Sequence, residues 1–590
     1  MTTVVNRAEA AERAVQERIA RLEHDLGDLD DPGNPLGADH FLAADGRQRL
    51  LPAAERLLDD FGLNAEFVPR ELGGRLDRLD VLARVLRAVF RRDAALGLAH
   101  GLTSYLAAAT VWADGTGQQR RRTAELLLSG GRMAGAYPEP APGNDFLHNR
   151  LTAVREPGGH RLDGRKEALN NAARVDALVV FAHTPQAGGD AQTAFLLPGP
   201  AAAGPGVTVL PRRRTSGIRG CVVQGLEFTG HRLGADRLLG PEGGGARLAE
   251  RAFPITRGTG SSMALGCADT ALRTTVAFAR AHRSRSRASL HSARTRFALV
   301  DAFTDLLVCD CLSLVATRAP HLLPRESRTL SAVVKYLLPT ILTEMVYDLS
   351  IVLGAESYAT TGSYGLFQKA ARDLPMIGLG SAGTAASRSA IVEHLLRLPE
   401  LTPPPEPAEA AGTPRADACA RLFRPYDPDL PPVRPDELVL PAAGDSLLGS
   451  LPATVRRVRA AHGEFAGALG EAADALDTEL RLLREDCGRL AERPPGRDLS
   501  PRVYALADRY ALIVAGAACL GVWRHGAPGE GGGLLAEPAW AALALSRIVG
   551  RLDRTAVRAP ESGTEHLLAE VLDRFDDARS YDLYATPIGR

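Results

Sequence analysis

Arg372-Asp373-Leu374-Pro375-Met376-Ile377-Gly378-Leu379-Gly380-Ser381-Ala382-Gly383-Thr384 opens on an Arg–Asp pair and closes on Ala-Gly-Thr, with no carboxylate after Asp373. It lies near the end of a block, residues 246–398, in which apolar residues keep helical spacing over long runs, most clearly 301–316 and 329–354.

Working outward from there, residues 5–130 also read as helices. Leu82, Val85, Leu86, Val89 and Phe90 recur at three-to-four spacing, and Pro69 and Gly73-Gly74 punctuate the segment. Between them, 133–239 carries short apolar and β-branched runs (177–182, 193–197, 207–210), separated by Gly158-Gly159 and Asp163-Gly164. This predicts a small antiparallel β domain. Downstream, the proline-rich stretch 399–414 reads as a stiff exposed linker, and 425–441 as a second proline-laden surface segment. Amphipathic segments at 453–491, 501–523, 537–551 and 565–579 form a helical appendage. The expected layout is α+β: an N-terminal helical domain (1–132), a β domain (133–240), a helical bundle (241–398), a Pro-rich linker (399–445) and a C-terminal helical extension (446–590).

The chain has 590 residues, 45% of them apolar, and 70 basic side chains balance 70 acidic ones. Zero formal charge argues against a broad nucleic-acid footprint. The basic residues are almost all arginine; the lysines are Lys166, Lys335 and Lys369. The seven cysteines are scattered, odd in number and never in a CxxC pair, which predicts free thiols in a reducing cytoplasm. Cys309 and Cys311 have no histidine or second cysteine pair nearby, so no metal site is expected. The start of the chain is charged, without an apolar signal core. The longest apolar stretch, 510–523, falls short of the about 20 residues a bilayer needs. No membrane span is expected.

Several motifs occur together in a recognisable order. They are 61–63 with Val68-Pro69-Arg70-Glu71-Leu72-Gly73-Gly74; Arg91-Arg92-Asp93-Ala94-Ala95; 115–119 with 127–131; Tyr137-Pro138-Glu139-Pro140-Ala141-Pro142-Gly143-Asn144-Asp145; 162–171; 217–228 with Leu239-Gly240; and the 372–384 stretch. In that order and with those gaps the first 400 or so residues resemble the acyl-CoA dehydrogenase superfamily. The resemblance implies an N-terminal helical domain, a middle β barrel and a helical bundle. It implies flavin adenine dinucleotide (FAD) between barrel and bundle, an acyl thioester substrate on coenzyme A or a carrier protein, and a homodimer or a heteromer with a homologue. It further implies a base that removes the α-proton while flavin takes the β-hydrogen as hydride.

The family's Glu-Gly-Thr falls on Ala382-Gly383-Thr384, and its alternative Glu, one residue before an arginine, falls on Thr256 before Arg257. Both customary base positions are therefore without a carboxylate. Glu356, just after Gly354, is the candidate replacement base; Asp373 reads as structural; Tyr358 and Tyr364 would need strongly perturbed phenols. Carried over residue by residue, the cofactor contacts are Tyr137, Pro138, Asn144, Asn170, Arg283, Gly354, Gly383 and Thr384, and Arg257 belongs to the substrate side. The expected function is a flavin oxidoreductase of specialised metabolism, acting on an acyl thioester or a related substrate without the usual Glu. The rival expectation is a non-redox or inactive protein of the same fold, serving as partner subunit or carrier-protein binder.

Overall fold

The computed structural model describes residues 2–137, 148–188, 191–282, 289–379, 383–401, 414–492, 500–526, 533–552 and 561–589. The N-terminal helices include α1 (Thr2–Leu26), α2 (Leu79–Arg92), α3 (Thr103–Asp114) and α4 (Gly117–Leu128). Thr116 and Gln119 cap α4 reciprocally, each side chain bonding the other's backbone N–H. The apolar spacing seen in α2 does build a helix, but every residue of it is buried, its arginines included. Arg84 pairs with Glu12, Arg87 with Asp310, Arg91 with Glu23 and Asp269, and Arg92 with Glu23. A buried guanidinium is tolerated only when carboxylates answer it. Here α1 and the bundle supply them.

The strands are β1 (Met133–Ala136), β2 (Thr152–Glu156), β3 (Gly159–Asn170), β4 (Ala177–His183), β5 (Gln192–Pro198), β6 (Val207–Val209), β7 (Val223–Gly234) and β8 (Leu238–Leu239). They form one eight-stranded sheet in the order β6-β7-β3-β2-β4-β5-β8, with β1 alongside β4. The pairing is mixed: β3–β7 and β4–β5 are antiparallel, whereas β1–β4 is parallel. The antiparallel expectation thus fails at β1, which enters the sheet from the helical domain rather than from a hairpin. In the β3–β7 ladder the register shifts between Leu162 and Gly164 and again between Lys166 and Leu169. Such irregularities re-aim side chains; the second precedes Asn170.

The bundle comprises α5 (Gly245–Met263), α6 (Leu265–Ala281), α7 (Ala293–Leu322), α8 (Ser327–Leu353), α9 (Gly365–Asp373) and α10 (Gly383–Leu395). The appended helices are α11 (Ser446–Arg459), α12 (Ala466–Glu492), α13 (Pro501–His525), α14 (Pro538–Leu552) and α15 (Glu561–Asp576). The sheet keeps its own apolar core, while one continuous cluster runs from Ile19 through the bundle to Leu583. Helix α13 packs on both α7 and α10.

Two expectations need correction. The proline-laden segment 425–441 is not purely surface, since it buries Leu438 in the shared core, where Cys419, Leu422 and Phe423, between the two proline-rich stretches, are buried too. Pro414 and Pro435 open the short helices Pro414–Leu422 and Pro435–Leu438, which carry Cys419, Leu422 and Leu438. Second, Ala94–Asp114, Pro324–Tyr358 and Pro501–His525 are each long and apolar enough, by length and composition, to cross a membrane. Counting uninterrupted apolar residues missed them because isolated polar residues do not break a helix. In the structure 89%, 56% and 83% of their apolar windows are buried within the protein.

Candidate functional site

The Arg372–Asp373 pair anchors a buried network. Asp373 accepts from Lys369 Nζ at 2.7 Å, Arg372 Nε at 2.9 Å and the Ile218 N–H at 2.6 Å. Arg372 reaches Asp45 at 2.6 Å, and Lys369 reaches Asp93 at 2.9 Å. Burial alone would push the Asp373 carboxyl up, but Lys369 and Arg372 outweigh it and hold the pKa below the usual range. Asp373 therefore ties bundle, sheet and N-terminal helices together, and every lone pair it has is used. This agrees with its structural reading.

Beyond this anchor, α5, α8, the short helix Met376–Leu379 and the end of β1 converge. Tyr137 follows β1; its hydroxyl donates to Leu106 O at 2.7 Å, and its carbonyl accepts from Lys166 Nζ at 2.9 Å. The Tyr137 ring meets Phe253 of α5 edge-on at 5.9 Å, and the Arg257 guanidinium lies 4.8 Å from the Phe253 ring. From α8, Lys335 donates to Ile377 O at 2.5 Å. A Cβ on Gly378 would touch both Pro339 of α8 and Thr384 of α10, so the 377–384 region lies against α8.

Arg257 and Lys335 share an unusual condition. Among the described residues neither has a carboxylate partner, and the Arg257 Nε is buried without any acceptor. Burial, reinforced by Arg328, lowers the Arg257 pKa to about 10. Burial, reinforced by Arg257, lowers that of Lys335 to about 7. Thr256 offers no base: its hydroxyl is buried and donates to Ala252 O of its own helix at 3.1 Å.

On the sheet side, Asn170 donates to Thr103 Oγ1 at 2.8 Å and Asn171 to Ala99 O, which pins the end of β3 to the N-terminal helices. Asn171 holds a left-handed φ of 62°, a conformation asparagine adopts more readily than most residues. Both side-chain oxygens, Asn170 Oδ1 and Asn171 Oδ1, are buried with no donor. Buried acceptors left unmatched are costly, and a bound group that brings donors removes the cost. A flavin ring, with an N–H between two carbonyls, has suitable donor chemistry. Gly383, with φ of 48°, and Thr384 begin α10, and the first N–H groups of a helix have no partner within it. The residues present thus fit a flavin.

Not every expected residue joins this group. Pro138, Asn144, Arg283 and Ala382 lie outside the described residues. Gly354 and Glu356 are exposed on the turn that follows α8. Glu356 is 21 positions from Lys335. At 1.5 Å per residue that puts roughly 28 Å of helix between Lys335 and the end of α8 near Glu356. Glu356, the expected replacement base, thus stands at the opposite end of α8 from Lys335 and is exposed within its own chain. Tyr358 is also exposed, and Tyr364 packs edge-on against Phe278. Sequence reasoning passed over Lys335. Its one signal was its place as a lysine in an apolar helical run of a chain that otherwise uses arginine.

Comparison with known proteins places this geometry. The acyl-CoA dehydrogenase C-terminal domain profile matches residues 243–395. The short-chain specific acyl-CoA dehydrogenase of Homo sapiens mitochondria is 32% identical over 237 residues, 40% of this chain and 57% of that protein. The chain thus spans less than two thirds of that relative. In fold, the acyl-CoA dehydrogenase of Bacillus anthracis complexed with FAD matches at a TM-score of 0.62 and 16% identity, over 96% of this chain and 88% of that one. The prolyl acyl carrier protein oxidase AnaB matches at 0.57 and 18%, over 65% of this chain and 98% of that one. The helical appendage is thus part of a shared fold, and residues 243–395, the bundle, match the acyl-CoA dehydrogenase C-terminal domain family.

Proposed function

We propose that this protein is an FAD-dependent oxidoreductase that acts on an acyl thioester, carried by coenzyme A or a carrier protein, without the customary glutamate base. The pair of unmatched amide oxygens at Asn170 and Asn171, where the end of β3 meets Thr103 and Ala99, carries the reading. FAD supplies a hydride acceptor. The chain's own residues do the rest: Asn170, Asn171, Gly383 and Thr384 hold and orient the ring, and Arg257 faces the substrate side. With alanine at 382 and threonine at 256, proton removal rests on the substrate's own acidity. That suits a specialised substrate better than a plain fatty acyl chain. Carrier-bound substrates have support in the AnaB likeness. A cytoplasmic setting agrees with seven free, buried cysteines.

A homodimer is part of the same reading. Phe297, Tyr347, Ile351 and Tyr358 are exposed near the start of α7 and the end of α8. Phe297 and Ile351 border a groove of about 780 Å³. Exposed apolar clusters of this kind mark interaction surfaces.

Reconstitution of the full chain with FAD followed by visible spectroscopy is the direct test. The expected outcome is a yellow holoprotein, with Asn170→Leu weakening FAD retention by about ten-fold. A protein that stays colourless refutes the proposal. That result would favour the rival reading, an inactive or non-redox member of the family, which draws support from the Thr256 hydroxyl being bonded within its own helix.

A further inference from the structure

Among the described residues, a row of buried cations is answered by anions. Arg78, Arg84, Arg87, Arg91, Arg92, Arg318 and Lys369 are all buried, and each has a carboxylate within 4 Å. Arg257 and Lys335 break that pattern. They sit on facing helices, α5 and α8, next to the proposed flavin region. Arg257 keeps its charge against the Phe253 ring, while one guanidinium nitrogen, Nε, is buried without an acceptor. Lys335 is 7% exposed and has only the Ile377 carbonyl as a described acceptor. Arg328, which also acts on Arg257, is itself a cation and is paired with Glu393 and Glu250 at the surface. Like charges on two packed helices in a largely buried setting are unfavourable for each other. A fold keeps such a pair at a cost unless something arriving from outside completes it.

We propose that Arg257 and Lys335 form an anion-binding subsite that takes a carboxylate on the acyl part of the substrate. The inference rests on the proposed function for the position of the acyl thioester. The guanidinium offers a planar fork suited to a carboxylate, and the ammonium adds a point charge from the opposite helix. Lys335, held near neutrality by burial and by Arg257, gains its proton as the carboxylate arrives, so binding and protonation reinforce each other. The substrate class that follows is an acyl thioester with a second, free carboxylate, in place of a purely hydrocarbon chain.

Isothermal titration of the full-length protein with succinyl-CoA and with butyryl-CoA tests this, since the two differ chiefly in the carboxylate. Succinyl-CoA is expected to bind about ten-fold or more tightly. Lys335→Met should erase the preference without changing flavin content, and Arg257→Gln should weaken succinyl-CoA binding by more than it weakens butyryl-CoA binding. Equal affinities for the two thioesters in the wild type, a preference that survives in both variants, or no binding of either thioester would each overturn the subsite. The flavin spectrum, recorded on the same samples, separates the two claims. Yellow protein without the preference refutes the subsite and spares the flavin reading. Colourless protein that still prefers succinyl-CoA keeps the subsite and removes the redox reading.

Discussion

Lys335 is a residue whose cost can be read from pH. Its native pKa of about 7 lies below the ordinary lysine value of 10.5. Below about pH 7 both native and unfolded forms are protonated, and the native state bears the full burial penalty. Between about 7 and 10.5 the unfolded chain binds the proton that the native chain does not, so stability climbs as pH rises through that window. Lys335→Met should therefore melt higher than wild type at pH 6, by a few kcal/mol at about 1.4 kcal/mol per pKa unit, less about 1 kcal/mol for the lost bond to Ile377. The gap should narrow toward pH 10; calorimetry across that range checks it. A second substitution addresses the missing base. Thr256→Glu sets a carboxylate beside the unpaired Arg257, and anaerobic flavin bleaching by butyryl-CoA should quicken by about a hundred-fold over wild type. Of these residues, Thr256, Arg257 and the 382–384 motif were legible in sequence because a family pattern marks them. Lys335 was not, because desolvation depends on what the fold packs around a side chain.

At the scale of elements, the Pro-rich stretch shows why composition misleads. Asp445, at its end, caps α11 by accepting from the Leu448 N–H at 3.1 Å. It also bonds His394 of α10 at 3.0 Å and the Tyr510 hydroxyl of α13 at 2.7 Å. Burial pushes this carboxyl up, yet His394, Tyr510 and Leu448 together hold it below the usual range. Its contribution is thus present at neutral pH and lost as acid protonates it. Asp445→Ala should cost about 3 kcal/mol by urea denaturation at pH 7, with a smaller deficit under acid conditions. Helix α2 teaches the converse lesson. Its apolar spacing was plain, but a row of arginines normally signals a solvated face. Which elements cover that face is set by Glu12, Glu23, Asp269 and Asp310, far away in the chain. Periodicity is local information, and ion pairing across a core is not.

The whole molecule behaves as two cores: one in the sheet and one shared by all helices. The division into helical, β and helical blocks was visible because periodicity changes from 3.6 to 2 and back. That the appended helices share the bundle's core was not, since an amphipathic segment does not declare its partner. A chain ended at residue 445 should consequently expose the faces of α7 and α10 that α13 covers. It is expected in the insoluble fraction, with the full chain soluble under the same expression. The surface around Ile351 predicts the opposite kind of change: Tyr347→Asp with Ile351→Asp should shift sedimentation from dimer to monomer without loss of helicity by circular dichroism.

Residues 579–589 carry an implication for how this molecule is made. Tyr581 and Leu583 donate backbone N–H groups to Asp269 and Asp310, at 3.0 and 2.7 Å, and Arg84 stacks 3.8 Å from the Tyr584 ring. Gly589 sits so close to the carbonyls of Glu23 and Gly27 that any side chain there would collide with them. The lock on the opening helix is thus held by amino acids translated more than five hundred positions later. Helix α1 can pair early with the arginines of α2, but its contacts with the 579–589 segment must await residues made far later.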